Sequence, residues 1–304
     1  MKRKLDVKAK IKSITTDAST ADIQIYLDYY QLNWSDVYHH YEFYQIKREN
    51  IFLQSFTPNE PIGRVVVLHG YLDHSGSLRN LIDHLLAERY QVMTFDLPGH
   101  GLSSGPRAEI TAFDDYVHVF EDLVNNRFKD TDLPLAVVAH STGGAICIDY
   151  LLESSSPFEK VILLAPLVRS YRWYSSRLGF LLINHFLKEI KRVFKRNSSN
   201  HNYLEVVKQD PLQHDKLPLI WFEALHTWYR RIQKKAPSLK RIFVIQGDQD
   251  QTVDWQYNLS FIKKKFPNCT ICTIHGGNHQ LLNEDKLYLE TTLHFIHKAL
   301  EDME

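Results

Sequence analysis

The sequence predicts an α/β fold in which helices cover both faces of a mostly parallel sheet. Short apolar runs alternate with segments of helical periodicity along most of the chain, and this alternation is typical of a parallel sheet. A chain of 304 residues with 44% hydrophobic residues can bury one large core. The interval between the apolar runs 161–165 and 241–246 is far longer than the roughly thirty residues of a strand–helix–strand unit, which predicts an inserted helical cap.

The predicted elements follow one another in a regular order. One helix is expected at 21–31, before two alternating segments that form an opening hairpin. Strands are predicted at 41–46, 51–57, 64–71, 91–95, 135–139, 161–165, 241–246 and 270–274. Further helices are predicted at 78–89, 113–127, 144–153 and 281–300. The chain therefore divides into an N-terminal extension at 1–38, a core of 39–165 and 239–304, and a helical cap at 166–238.

A serine lies between the apolar run 135–139 and a helix that opens with two glycines. The segment 139–144 has the sequence Ala-His-Ser-Thr-Gly-Gly. It approaches the Gly-x-Ser-x-Gly pattern of a nucleophile elbow, with alanine in the first position, and small neighbours allow a tight turn that exposes the hydroxyl of Ser141. The alternative is an ordinary strand–turn–helix junction with a capping serine. This segment alone leaves both interpretations open.

A serine hydroxyl becomes a good nucleophile only when a base takes its proton and a third group orients that base. Two later strand ends supply candidates. The run 241–246 is followed by Asp248 and Asp250, and the run 270–274 is followed by His275 and His279. Paired glycines let the backbone turn and bring His279 over the sheet edge, while His275 stays closer to the strand. We therefore predict His279 as the base.

A developing oxyanion needs at least two backbone N–H donors. One comes from the residue after the nucleophile, Thr142, and the other from the loop after an early strand, at Tyr71. A glycine-rich turn at 96–105 lacks the lysine and the hydroxyl spacing of a phosphate loop. We interpret this turn as a structural loop beneath the active site.

Five motifs occur in a fixed order between roughly residues 40 and 300. They are His69-Gly70, Asp-x-x-Gly-His-Gly-x-Ser-x-Gly at 96–105, the elbow at 139–144, Gly-x-x-Asp-x-x-Val at 247–253 and Asn278-His279. Together they resemble the monoglyceride lipase and lysophospholipase family of α/β-hydrolases. Ala139 at the first elbow position departs from the family pattern.

The resemblance implies an α/β-hydrolase fold and a serine esterase that needs no metal or cofactor. Ser141 would be the nucleophile, His279 the base and Asp250 the acid, since the motif register favours Asp250 over Asp248. The substrate would be a single-chain lipid ester, either a monoacylglycerol or a lysophospholipid. Substrate contacts are further expected from His69, Gly70, His140, Trp173, Trp221 and Trp228. The tryptophans either line an acyl channel or form the core of the cap.

Two other classes of protein are compatible with parts of this pattern. An acyltransferase, a thioesterase or a short-chain carboxylesterase would use the same three residues, and the sequence does not separate them from a lipid esterase. A non-catalytic binding protein with a hydrolase fold usually lacks one member of the triad. Since all three members are present here, we expect an enzyme.

The cap contains a basic amphipathic pattern. Apolar residues recur at helical spacing at Phe180, Ile183, Phe186, Leu187, Ile190 and Phe194. Basic residues occupy much of the other face, at Lys188, Lys191, Arg192, Lys195 and Arg196. Such a helix often lies on an anionic membrane surface. Alternatively, its apolar stripe packs inward and its charges are only solvated.

Composition limits the remaining partners and the location. The 36 basic residues balance 36 acidic ones, so no nucleic-acid partner is expected. Apolar runs are shorter than the ~20 residues that span a bilayer, and the N-terminus lacks the apolar stretch of a secretory signal. Cys147, Cys269 and Cys272 do not form a disulfide framework. We expect a cytoplasmic enzyme whose contact with an anionic membrane, if present, is peripheral and made through the basic cap.

Overall fold

The computed structural model describes residues 2–128, 132–184, 186–194 and 196–301, with side chains from residue 6 onward. Its strands are β1 (Val37–Ile46), β2 (Glu49–Pro58), β3 (Gly63–Leu68), β4 (Tyr90–Phe95), β5 (Leu135–His140), β6 (Lys160–Leu164), β7 (Glu189–Lys191), β8 (Lys216–Pro218), β9 (Phe243–Gly247) and β10 (Thr270–Ile274). Its α-helices are α1 (Lys2–Lys12), α2 (Thr20–Tyr30), α3 (Arg79–Ala87), α4 (Phe113–Asn126), α5 (Thr142–Glu153), α6 (Trp173–Ile183), α7 (His201–Gln209), α8 (Leu219–Ile232), α9 (Trp255–Lys265) and α10 (Lys286–Glu301).

One eight-stranded sheet forms the centre of the described structure, in the order β1-β2-β4-β3-β5-β6-β9-β10. Strand β2 pairs antiparallel with β1 and with β4. From β4 to β10, each neighbouring pair is parallel. The predicted α/β fold with a mostly parallel sheet is therefore confirmed.

The central strands serve two apolar layers at once. Every residue of β3 is buried, and successive side chains of a strand point to opposite faces. Val66 and Leu68 belong to the layer that contains residues of α4, α5 and α8, whereas Val65 and Val67 belong to the layer that contains residues of α2, α3 and α10. A run of consecutive apolar residues is thus required on both faces, which explains why this strand does not alternate.

The helix predictions need correction at three places. The helices α1 and α9 were not predicted, and the helix predicted at 281–300 is divided into a 3-10 turn at Leu281–Asn283 and α10. Glu284 lies at the break. Its buried carboxylate accepts the N–H of Asn278 at 2.7 Å and the hydroxyl of Ser198 at 3.1 Å. These bonds to residues outside the helix compete with helical continuity and fix the backbone just before His279.

The single amphipathic helix predicted from Phe180 to Phe194 is wrong. Helix α6 ends at Ile183, and Ile190 lies in β7, which pairs antiparallel with β8 in a separate two-stranded sheet. The ladder satisfies the peptide groups of this stretch, so pairing in the tertiary structure overrides the helical periodicity. Lys195 lies outside the described residues. Of the helices in the described part of the chain, none has the length and hydropathy that a bilayer span requires.

The N-terminal helices pack on the core and reach the segment between β6 and β9. Tyr26 of α2 is fully buried, and Gln54 donates a hydrogen bond to its hydroxyl at 3.2 Å. Tyr30 donates to one carboxylate oxygen of Asp210 at 2.8 Å, and His74 donates to the other at 3.0 Å. Asp210 therefore joins the N-terminal helices, the core and the residues after α7.

The pair of His74 and Asp210 is charged although it is buried. Burial favours the neutral form of His74, but the charges of Asp210, Asp96 and Asp73 outweigh burial and raise its pKa to about 9. Burial likewise opposes the charge of Asp210, but His74 and the neighbouring hydrogen-bond donors lower its pKa. Since each charge compensates the other, loss of either one leaves its partner unpaired in the interior.

We predict that Asp210→Asn lowers the melting temperature by several degrees below pH 6.5, because an unpaired buried His74 cation costs about 3–5 kcal/mol. The raised pKa of His74 and the lowered pKa of Asp210 make the pair's contribution complete between about pH 4 and pH 6.5, and it is lost as the pH rises through about 9. The difference in melting temperature between parent and variant should shrink over that interval in scanning calorimetry. A difference that stays constant with pH would contradict a charged pair.

Candidate active site

Ser141 occupies the turn between β5 and α5 with an unusual backbone conformation. Its φ of 53° and ψ of −112° lie outside the regions that non-glycine residues normally adopt. The surrounding chain holds this turn in place: the N–H of Ser141 donates to Leu164 O at 2.9 Å, and its carbonyl accepts from Leu167 N at 3.0 Å. The serine side chain is thereby held at the carboxyl end of the sheet.

Two glycines allow α5 to begin this close to the sheet. A β-carbon on Gly143 would lie 2.8 Å from the carbonyl oxygen of His69, and one on Gly144 would lie 3.0 Å from Cβ of Pro166. Ala139, the departure from the family pattern, pairs regularly within the sheet and is fully buried. A methyl group at that position is therefore compatible with the turn.

Ser141, His279 and Asp250 form one hydrogen-bonded row. His279 Nε2 lies 3.0 Å from Ser141 Oγ, and His279 Nδ1 lies 2.8 Å from Asp250 Oδ2. The three residues follow β5, β10 and β9, and the carboxyl ends of parallel strands lie at the same edge of a sheet. Because Nδ1–H donates to the carboxylate, Nε2 can accept the proton of the serine.

The surroundings of Asp250 keep its carboxylate charged. Burial would raise the pKa of Asp250, but His279 and the N–H groups of Val253 and Thr252 lower it. The two N–H donors lie 3.1 and 2.7 Å from Oδ1, and the amide of Gln246 donates to Oδ2 at 3.1 Å. An anion in this position can stabilise the positive charge that develops on His279.

A second acid–histidine pair lies on the neighbouring loops. Asp248 Oδ2 lies 2.7 Å from His275 Nδ1, but the side chain of His275 is 95% exposed. The strand ends offered both acids and both histidines as candidates. The structure brings Asp250 and His279 to Ser141 and leaves His275 of the other pair in solvent.

The two predicted oxyanion donors meet at one cavity. Thr142 is the first residue of α5, so its N–H has no acceptor within the helix. The loop after β3 approaches the serine so closely that a β-carbon on Gly70 would lie 3.0 Å from Ser141 Cβ. Tyr71 and Thr142 line the same cavity as Ser141.

His69 and His140, predicted as substrate contacts, use their ring nitrogens to hold the main chain. His69 Nε2 accepts the N–H of Leu97 at 2.9 Å, and its Nδ1 donates to Gly70 O at 2.8 Å. His140 Nε2 donates to the carbonyl of His279 at 3.1 Å. Burial lowers the pKa of both histidines to about 3, so both rings are neutral. His140 also lines the cavity, whereas His69 is completely buried.

The glycine-rich turn at 96–105 is a structural element that packs against the segment after β3. The buried carboxylate of Asp96 accepts the N–H groups of Ser75 and Leu102, each at 2.7 Å. Gly101 has a φ of 49°, and a β-carbon there would lie 2.0 Å from Asp96 Oδ2. A side chain at Gly101 would therefore collide with the carboxylate that orders the turn.

Ser141 opens into a cavity of about 360 Å³. The apolar part of its wall includes Leu167, Leu204, Val207, Leu217, Trp221 and Phe222. Trp221 stacks on Tyr71 with ring centroids 3.8 Å apart. Of the three predicted tryptophans, Trp221 is the one that lines this cavity.

Trp173 and Trp228 are part of the internal packing instead. Trp173 packs against the rings of His226 and Tyr229, with centroids 4.5 and 4.9 Å away. Trp228 packs against Phe113, and its indole N–H donates to Asp149 at 2.9 Å. Their prediction as substrate contacts is corrected, because both side chains pack between α8 and its neighbouring elements.

The sequence did not identify three polar residues that line the cavity. Arg192, Tyr203 and Gln213 come from the segment between β6 and β9. That segment has no strand–helix rhythm from which a strand end could be inferred, so local sequence offers little information about which side chains face inward.

One cluster of described residues has ligand types that suit a metal ion. His84 and Glu88 of α3 and His297 of α10 have ligand atoms within 4.8 Å of one another. His297 is also paired with Glu301 at 2.9 Å. This cluster is separate from the residues that line the cavity of Ser141.

The fold and the hydrogen-bonded serine, histidine and aspartate define a serine hydrolase of the α/β-hydrolase class. The family model described as serine aminopeptidase, S33, matches residues 59–286. The chain belongs to this family.

Curated relatives and solved structures agree with this assignment. The chain is 26% identical to a monoacylglycerol lipase of Mycolicibacterium smegmatis over 79% of this chain and 90% of the relative. It is 25% identical to the phospholipase YtpA of Bacillus subtilis over 64% and 79%. A structure of a soluble variant of Saccharomyces cerevisiae monoglyceride lipase has a TM-score of 0.73 at 21% identity, covering 89% of this chain and 97% of that one. The structural likeness shows a shared fold.

We predict that Asp250→Asn lowers kcat for an activated ester by about 10⁴-fold, because an amide no longer holds the required tautomer of His279. Asp248→Asn is the matched control, since it makes the same change in the exposed pair, and it should keep a kcat close to that of the parent. Steady-state kinetics on both folded variants tests the difference. The opposite ranking would show that the Asp248 pair is the active one.

Proposed function

We propose that this protein hydrolyses carboxylic esters of single-chain lipids, either lysophospholipids or monoacylglycerols, through an acyl-enzyme. The observation that carries the proposal is the row of Ser141, His279 and Asp250 beside an apolar cavity wall. An activated serine explains ester cleavage, and the apolar wall is suited to a fatty acyl chain. The monoacylglycerol lipase and the phospholipase among the relatives support the lipid class.

The proposed reaction follows from the geometry. His279 takes the proton of Ser141 as Oγ attacks the ester carbonyl carbon, and the N–H groups of Tyr71 and Thr142 stabilise the oxyanion. The tetrahedral intermediate then breaks its bond to the alcohol oxygen, which receives the proton from His279. Water attacks the acyl-enzyme in the same way, releases the fatty acid and restores Ser141. None of these steps uses a metal or a cofactor.

We also propose that residues 166–238 act as a cap over a core of 39–165 and 239–304, with 1–38 as an extension. The cavity wall supports this division, because it combines Gly70, Ser141 and His279 of the core with Leu204 and Trp221 of the cap. A cap over the serine would exclude water from the acyl chain and select its shape. The extension would brace the cap through the hydrogen bond of Tyr30 with Asp210.

The membrane contact proposed for the cap has a different basis from the predicted amphipathic helix. Helix α6 and the residues after it carry apolar side chains that are 49–84% exposed, at Leu178, Leu181, Leu182, Phe186 and Leu187. Arg177, Lys188 and Lys191 are exposed in the same segment. An exposed apolar patch with basic neighbours is typical of a surface that binds an anionic membrane. We name this surface the apolar cap patch.

A cytoplasmic location remains part of the proposal. Cys147, Cys269 and Cys272 are free thiols, and free thiols are usual in reducing compartments. Contact with a membrane would then be peripheral and would bring the cavity to the lipid.

The test uses a monoacylglycerol and a lysophospholipid with the same acyl chain. We predict that the protein releases fatty acid from one or both of them, and that Ser141→Ala abolishes release. The variant removes one oxygen and should remain folded, with an unchanged melting curve. Product analysis by mass spectrometry distinguishes hydrolysis from acyl transfer to an added alcohol or thiol. Equal release by parent and variant would contradict the serine mechanism, and turnover of short soluble esters alone would favour a short-chain carboxylesterase.

We predict that the double variant Leu182→Ser, Phe186→Ser binds anionic vesicles several-fold more weakly and hydrolyses a short soluble ester at the parental rate. Both side chains belong to the apolar cap patch and are 64% and 84% exposed. Leu287→Ser is the control, because Leu287 is 70% exposed on α10. Sedimentation with vesicles measures binding. Unchanged binding by the double variant would contradict the proposed membrane contact.

A further inference from the structure

Arg192 carries a positive charge into the wall of the catalytic cavity. It directly follows β7 and lines the same cavity as Ser141. Its main-chain N–H donates to Asp215 O at 2.8 Å, which fixes the backbone to the segment before β8. The side chain is half-buried, and its guanidinium carbon lies 4.5 Å from the ring centroid of Phe194. Arg192 therefore differs from the exposed basic residues around it, such as Lys191.

The hydrogen bonds of this guanidinium within the described residues go to uncharged groups. Nη1 donates to Gln213 Oε1 at 2.6 Å and to the carbonyl of His214 at 3.2 Å. Burial lowers the pKa of Arg192, yet an arginine remains protonated in a protein. The cavity wall thus holds a partly desolvated cation whose direct partners do not neutralise it.

The acidic side chains that act on Arg192 from a greater distance have other partners. Asp73 is the first of them; it lines the same cavity, and its carboxylate accepts the main-chain N–H of His74 at 3.0 Å. Asp210 is the second, and it is paired with His74 at 3.0 Å. Tyr203 would also act electrostatically on Arg192 if its hydroxyl were ionised, but burial raises the pKa of that hydroxyl well above the ordinary value. It stays a neutral hydrogen-bond donor.

We propose that Arg192, together with Gln213 and Tyr203, forms a subsite for the phosphate group of a lysophospholipid. The three residues line the cavity of Ser141, so the ester and the phosphate of one substrate molecule can lie in the same cavity. The planar guanidinium suits phosphate oxygens, while the amide and the phenol add neutral donors. This inference rests on the proposed function and selects the phosphate-bearing substrate over the neutral monoacylglycerol.

The competing explanation is that Arg192 only braces the hairpin of β7 and β8. Loss of a brace would affect both substrates equally, because the neutral and the phosphate-bearing ester share the same acyl chain and the same serine. Loss of a phosphate subsite would affect one of them. The two explanations therefore differ in the ratio of kcat/KM for the two substrates, whatever the stability of the variant.

The test compares a lysophosphatidylglycerol and a monoacylglycerol with the same short acyl chain, both below their critical micelle concentrations. The parent should prefer the phosphate-bearing ester, and Arg192→Gln should lower that preference about tenfold or more, as expected for one charge-assisted hydrogen-bonded contact. Arg192→Lys should keep part of the preference. Lys191→Gln is the matched control, because it removes one positive charge from the exposed neighbour, and it should keep the parental ratio.

A second measurement uses glycerol 3-phosphate as the probe and compares it with glycerol and with inorganic phosphate. Glycerol 3-phosphate should inhibit hydrolysis of the neutral ester and raise the melting temperature of the parent and of Lys191→Gln, but not of Arg192→Gln. Inhibition by inorganic phosphate as well would identify the phosphate itself as the recognised group. If the ratio and the inhibition are the same in parent and Arg192→Gln, the subsite is overturned.

The two levels of proposal fail in different ways. If neither ester is hydrolysed in a reaction that depends on Ser141, the proposed function is wrong. The shift in melting temperature caused by glycerol 3-phosphate is then the measurement that tests the subsite. A shift that Arg192→Gln abolishes would support the subsite, and the absence of a shift in the parent would overturn it. Hydrolysis of the monoacylglycerol with no preference for phosphate would keep the proposed function and overturn the subsite.

Discussion

The strained backbone at Ser141 is the constraint on which the rest of the site depends. A non-glycine residue with a positive φ costs of order 1–3 kcal/mol, and it persists only where its surroundings hold it. Here the bonds to Leu164 and Leu167 and the close contacts of Gly143 and Gly144 hold it. The same turn starts α5 immediately after the serine, which leaves the N–H of Thr142 without a helical acceptor. One local conformation therefore presents both the hydroxyl and one oxyanion donor.

Neutral histidines surround this turn and hold the loops in place. His69 joins the loop after β3 to the loop after β4, and His140 holds the carbonyl of His279. Burial lowers the pKa of both rings to about 3, so they add hydrogen bonds without adding positive charge. The charge that acts directly on His279 is then the carboxylate of Asp250, which is the arrangement that favours proton uptake by His279.

The segment between β6 and β9 divides its basic residues between two environments. Arg177 and Lys191 are exposed beside the apolar cap patch, whereas Arg192 lines the cavity. Composition alone shows only that the segment is basic. The pairing of β7 with β8 decides which residue points into the cavity wall, and this pairing could not be derived from a pattern that also fits a helix.

The sequence by itself determined the order in which the candidate catalytic residues follow the strands along the chain. Ser141 follows one apolar strand, an acid follows a later strand, and a histidine follows the next. Hydrophobic runs and glycine turns are local properties, so most core elements and the candidates Ser141 and His279 could be predicted from them. The choice of Asp250 over Asp248 came from the resemblance to a known family. The tertiary structure alone decided that α6 stops at Ile183, that Trp173 and Trp228 pack internally and that Arg192 faces the serine's cavity. Those outcomes depend on contacts between residues distant in sequence, and local periodicity carries no information about such contacts.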